Sequence, residues 1–211
     1  VGFCITDDEV CKKASHEEII RRYFSTLCDK KMGQKNDLAI QKIESLMNQA
    51  GISVENTRQI VKTALIKSEA TNGQPAVALE LPDGRIVTGK TSDLLGASSA
   101  ALLNALKVLA GINDNELLIK REIIEPIQDL KTDFLGNRNP RLHTDEVLIA
   151  LSMSAVTSET AKKAIAELKN LYGSEAHSTV ILSQIDSDTF RKLGINLTCE
   201  PQYQSKKLYH K

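Results

Sequence analysis

The sequence predicts an α/β chain on the α+β border, with a helical unit over residues 1–73 followed by a three-layer, mixed-sheet unit over residues 74–211. Three observations predict it. Apolar residues recur at helical spacing through the first third. Asp83-Gly84 sits between two extended runs, as in a hairpin. Near the end, two runs of β-branched and aliphatic residues flank a short helical pattern, which suggests a parallel strand pair.

The elements follow in order. Ser15 and Glu18 read as a capping box, opening a helix with Ile19, Ile20, Tyr23, Phe24 and Leu27 on one face. A second helix follows Asn36, carries Ile40, Ile43 and Met47, and stops at Gly51. Ser53 starts a third, with Ile60, Val61, Ala64 and Leu65. Residues 71–75 break the pattern and mark the subdomain boundary. Residues 76–81 and 85–90 predict strands joined by Pro82-Asp83-Gly84, a turn in which Asp-Gly supplies the positive φ angles. Residues 94–110 are apolar around the whole helical circumference, so that helix should be buried. Residues 116–135 permit a helix, but Pro126 bars a regular interior. Thr144, Ser158 and Asp186 are the expected caps of three further helices, the last closed by Gly194. Residues 178–183 and 195–199 are the expected final strands.

Composition narrows the function. Lys plus Arg and Asp plus Glu number 27 each among 211 residues, so the formal net charge is zero. A nucleic-acid partner is not expected, because phosphate backbones are held by clustered cations. The tail from Lys206 to Lys211 is basic but short. No apolar run approaches the roughly 20 residues of a membrane span. Cys4, Cys11, Cys28 and Cys199 match neither a disulfide framework nor a zinc knuckle, which suits a reducing cytoplasm. Val1 reads as a cut end of a longer parent.

The segment Gly84-Arg85-Ile86-Val87-Thr88-Gly89-Lys90-Thr91 satisfies the phosphate-loop pattern G-x-x-x-x-G-K-[ST]. Such a loop curls successive N–H groups around phosphate, whereas Ile86, Val87 and Thr88 favour extended backbone. The hairpin reading therefore takes precedence, with Lys90 and Thr91 still able to face a ligand from the strand end. A second polar set precedes a helix, Asn139-Pro140-Arg141-Leu142-His143, and a third leads into a strand, Glu175-Ala176-His177-Ser178. Loops at strand and helix ends gather binding groups in α/β folds. The expected ligand-binding residues are Lys90, Thr91 and Arg141, and the candidate catalytic residues are His143, His177 and Glu175.

The Asp-Gly hairpin, Thr88-Gly89-Lys90-Thr91 and the buried helix together resemble the opening of cytidine deaminase-like domains. That resemblance implies a zinc His or Cys and a Glu at the helix start, with P-C-x-x-C later. Leu95-Gly96-Ala97-Ser98 supplies neither, and no P-C-x-x-C occurs. His16 with Glu18 spells H-x-E within the capping box. No metal site and no cofactor are expected. A wider resemblance rests on residues 81–92, on Asn139-Pro140-Arg141-Leu142-His143, on residues 173–182, and on Lys207-Leu208-Tyr209. These segments resemble the C-terminal part of a bacterial family, domain of unknown function eighteen-forty-six. The resemblance implies a parent about twice this length, with a G-x-G-S-G-K stretch upstream. The function expected is a C-terminal accessory, ligand-binding or assembly part of a cytoplasmic protein that acts on a nucleotide or phosphorylated small molecule. Its partners would be the rest of the parent chain and that ligand. The alternatives are an autonomous hydrolase using the loop histidines and a structural module forming homo-oligomers through the face of residues 19–27.

Overall fold

In the computed structural model, which describes residues 7–204, four strands form one mixed sheet in the order β2-β1-β3-β4. Cys4 and the basic tail lie outside the described residues. β1 (Ala76–Glu80) pairs antiparallel with β2 (Ile86–Lys90) and with β3 (Glu175–Ser178), while β3 runs parallel to β4 (Asn196–Cys199). β2, β3 and β4 therefore point the same way, and β1 runs against them. Alternation along β1 sends Val77 and Leu79 into the main core on one face and Ala78 towards Ile60 and Ala64 on the other. Helix α5 (Ala97–Leu109) covers the first face, with α7 (Thr144–Ser154) and α8 (Glu159–Ala166) against it. Helix α4 (Gln59–Glu69) covers the second, and α1 (Asp8–Lys31) reaches β4 with α2 (Asp37–Ala50) behind it. The class is thus mixed α/β, with helices on both faces of the sheet.

The hairpin reading holds against the phosphate loop. Thr88, Gly89 and Lys90 lie in the β2 ladder opposite Ala78, Val77 and Ala76. The turn is a three-residue loop, closed by Gly84 N–H to Leu81 C=O at 2.9 Å and Leu81 N–H to Arg85 C=O at 2.8 Å. Only Gly84 takes a positive φ, +84°, and Asp83 keeps an ordinary one while its carboxylate accepts the Arg85 N–H at 3.0 Å. Gly89 has a different reason to be glycine. A Cβ there would lie 2.1 Å from Ala101 N and 2.6 Å from Ala97 O. The backbone of α5 rests directly on β2 at that point, and α5 is buried as its apolar circumference requires.

Several boundaries differ from the sequence expectations. α1 starts at Asp8, capped by Asp7, whose carboxylate accepts the Val10 N–H at 3.0 Å. The acidic first turn, Asp8 and Glu9, suits the positive end of the helix dipole, so Ser15 falls mid-helix and Glu18 pairs with Arg21 and Arg22. The single helix expected after Ser53 is two, α3 (Val54–Thr57) and α4, parted at Arg58 with φ −133° and ψ 76°. That break turns the buried guanidinium of Arg58 beneath β3 and β4. Helix α6 (Arg121–Asp129) runs through Pro126 and continues into a π turn, Leu130–Phe134. His143, not Thr144, precedes α7, and Ser183, not Asp186, caps α9 (Gln184–Lys192). β3 begins at Glu175, so the polar residues expected in a loop belong to the strand itself, held by pairing to β1 and β4.

Candidate functional site

Because β2, β3 and β4 are parallel, their C-terminal ends share one edge of the sheet. Chain leaving that edge turns into helices whose N-termini point back at it, the arrangement that gives α/β folds their ligand sites. Thr91 follows β2 and leads to the start of α5. Residues 179–183 follow β3 and lead to α9. α7 joins through a bridge between Leu95 and Leu142, with Leu142 N–H to Leu94 C=O at 3.0 Å and Ser99 Oγ to Leu142 C=O at 2.9 Å. Between these ends lies a cavity of about 300 Å³.

Three of the six residues singled out from sequence meet there: Thr91, Arg141 and His143. Arg141 Nε donates to the Ser92 carbonyl, and Arg141 N–H is accepted by Asn139 Oδ1 at 3.2 Å. Its loop is fastened by buried Lys131, whose Nζ donates to Arg141 C=O at 2.7 Å and to Glu146 Oε2 at 2.6 Å. Glu146 in turn accepts the His143 N–H at 2.8 Å.

The other three do not reach the cavity. Lys90 ends β2 just before Thr91 and is exposed. Glu175 and His177 share the face of β3 that α1 and α4 cover. The Glu175 carboxylate accepts from Arg58 Nη1, from Arg21 Nη1 at 3.0 Å and from Asn196 Nδ2 at 2.7 Å. His177, with none of its surface exposed, has Nδ1 at 2.8 Å from Thr198 Oγ1 and Nε2 at 3.1 Å from Glu200 Oε1, against the Phe24 ring. Burial pushes its pKa down, opposed by Glu200. His177 and Glu175 are interior fastenings of the helix layer, and a site built jointly on both loop histidines does not form.

The sequence reading missed Asp186. This buried carboxylate reaches from α9 to the start of α7, where Oδ1 accepts the Thr144 N–H at 2.9 Å. Its Oδ2 lies 3.0 Å from His143 Nδ1 and accepts from Ser183 Oγ at 2.8 Å. Burial alone would raise the Asp186 pKa, but bonds from His143, Thr144 and Ser183 hold it below the usual range. The bond to Asp186 raises His143 in turn, against a smaller opposing effect of burial. With Nδ1 held by a carboxylate, neutral His143 keeps its proton there and presents Nε2 as the basic nitrogen. That is the oriented half of an acid–base site. Ser183 Oγ, 3.4 Å from the same Nδ1, is on the wrong nitrogen to be activated as a nucleophile. Cys11, Cys28 and Cys199 are free thiols, and burial pushes Cys28 up to about 12, far from a reactive thiolate.

The family follows from comparison with known proteins. Residues 56–209 match the model described as "Domain of unknown function DUF1846, C-terminal", and residues 1–51 match its N-terminal counterpart. The chain belongs to this DUF1846 family. It is 55% identical over all 211 residues to a UPF0371 protein of Streptococcus thermophilus, covering 42% of that relative. It is 54% identical to a UPF0371 protein of Corynebacterium glutamicum and 52% to one of Streptococcus pyogenes, again over the whole chain and 42% of each relative. The chain thus spans about two fifths of the length of these relatives and corresponds to part of a larger protein. No helix among the described residues is long and apolar enough to cross a membrane.

Proposed function

We propose that this chain is the accessory, ligand-binding part of a larger cytoplasmic protein that handles a nucleotide or other phosphorylated small molecule, and that the cleft at the strand ends is its site. The observation that carries this reading is the convergence of Thr91, Arg141 and the Asp186-held His143, from three separate stretches of chain, in one cavity ringed by helix N-termini. Arg141 and the helix dipoles favour an anion. His143 Nε2 moves a proton to or from the bound molecule while Asp186 fixes the ring. A cavity of about 300 Å³ suits the phosphorylated end of a metabolite. The rest of the parent chain is the natural partner. The face of residues 19–27, which would motivate an oligomer, already packs Ile20 and Phe24 into an internal cluster.

Calorimetric titration of nucleotides and sugar phosphates against the chain tests this. A ligand that binds should weaken about tenfold or more with Arg141→Ala, as for a lost charged hydrogen bond. Ligands that bind Arg141→Ala and His143→Ala as they bind the parent chain would refute the site.

A further inference from the structure

We infer that the amino terminus of α5, with the hydroxyls of Thr91 and Ser98, is the seat of a tetrahedral phosphoryl group, so that the ligand class is a phosphate monoester. This rests on the cleft being the ligand site. Of the three helix starts at the cleft, two are satisfied from within: α7 gives its Thr144 N–H to Asp186, and α9 is capped by Ser183. α5 is not. Its N-cap is Gly96, which has no side chain to offer, and among the described residues the N–H groups of Ala97, Ser98 and Ser99 meet no acceptor. All three residues are at most 5% exposed. Buried amides without acceptors are rare, because each forfeits its hydration.

Two hydroxyls add an independent sign. Thr91 and Ser98 are 4% and 2% exposed, line the cavity, and make no side-chain hydrogen bond among the described residues. The hydroxyls of Thr144 and Ser174 also lack partners but are sealed from solvent, whereas those of Thr91 and Ser98 keep access to the cavity. Thr91 comes from the segment after β2 and Ser98 from α5, so the feature does not belong to one helix end. Ala97 and Ser98, whose N–H groups are open, line the cavity beside the two hydroxyls. Two N–H and two O–H donors at one space suit a group with three terminal oxygens better than a planar carboxylate. The aligned peptide dipoles of the 13-residue α5 add a positive field at that point.

The Gly-Lys-Thr spelling gains a physical meaning here. It does not wrap a phosphate. Gly89 lets α5 lie directly on β2, and that contact sets the start of α5 beside Thr91.

The test is titration of inorganic phosphate, with sulfate and acetate in parallel, against the chain and its Thr91→Val, Ser98→Ala and Thr91→Ser variants, with melting checked for each. Phosphate and sulfate should bind and acetate should bind more weakly. Thr91→Val and Ser98→Ala should each weaken phosphate about tenfold, and Thr91→Ser should restore it. Acetate binding as tightly as phosphate would overturn the tetrahedral assignment. Phosphate binding unchanged in both hydroxyl-deleted variants, while Arg141→Ala still loses a phosphorylated ligand, would overturn the seat and leave the cleft standing. Failure of every anion and metabolite to bind the cleft would overturn both.

Discussion

Replacing Gly89 with alanine tests how the fold makes the site. The new Cβ would stand 2.1 Å from Ala101 N, 2.6 Å from Ala97 O and 2.7 Å from Ala101 Cα. All three are backbone atoms of α5, so no rotamer change relieves the clash. Reaching ordinary contact at about 3.5 Å moves α5 off β2 by roughly 1 Å or more. Overpacking of that kind costs about 3 kcal/mol, the upper part of the usual range. At about 2–4 °C per kcal/mol for a chain of this size, the melting temperature should fall by about 6–12 °C. Gly84→Ala is the control. Nothing lies within 4 Å of its Cβ, and the cost is only the positive φ, roughly 1–2 kcal/mol. Thermal unfolding followed by circular dichroism gives both values. Because the shift also carries the start of α5 away from Thr91, phosphate binding measured well below the melting point should weaken in Gly89→Ala and hold in Gly84→Ala. A Gly89→Ala chain that melts like the parent would refute the close approach. Lost phosphate binding in Gly84→Ala with unchanged stability would point back to a wrapped loop.

Three further outcomes follow from buried charges. Arg58→Ala leaves Glu175 half-buried without its inner partner and removes a donor from the Ala176 and Asn196 carbonyls, and urea unfolding should show a loss of about 3–5 kcal/mol; Arg58→Lys should recover little, since a point charge cannot serve four acceptors. The two histidines should act oppositely with pH. His143 has a raised pKa, so its contribution is present below about pH 6.5 and lost as pH rises through the folded value; the stability gap between parent and His143→Gln should be widest on the acid side. His177 has a lowered pKa, so its neutral form costs stability as pH falls below about 6.5, and His177→Gln should lose less on acidification than the parent does. Urea midpoints at pH 5.5 and 7.5 give both signs, and equal slopes for the two variants would contradict them.

What could be read from sequence was what is decided locally. The Asp83-Gly84 turn, the Gly51 helix stop, the Ser158 cap and the apolar circumference of α5 depend on residues within a turn or two, and all stand in the structure. Thr91, Arg141 and His143 come to share one cavity because element ends gather where parallel strands finish, a placement their polar character at those ends suggested. What escaped depends on distant chain. Arg58 leaves a helical stretch to bond Thr198, 140 residues away. Asp186 looks like a helix cap, and only the approach of α9 to α7 gives its carboxylate to His143 and Thr144. Glu175 and His177 look like loop residues because they are polar, yet a strand can bury polar side chains when Arg58, Thr198 and Glu200 satisfy them. Ser98 carried no signal, since a small residue on an apolar helix reads as packing until Gly96 is seen to leave the helix start open.

Crystallisation of the chain with a phosphate monoester decides most directly where the anion goes. Density for the phosphoryl group against the amides of Ala97 and Ser98, within reach of Thr91 and Arg141, is the outcome expected. Density enclosed by the amides of residues 84–89, or a ligand bound away from the strand ends with the cleft empty, would contradict the account.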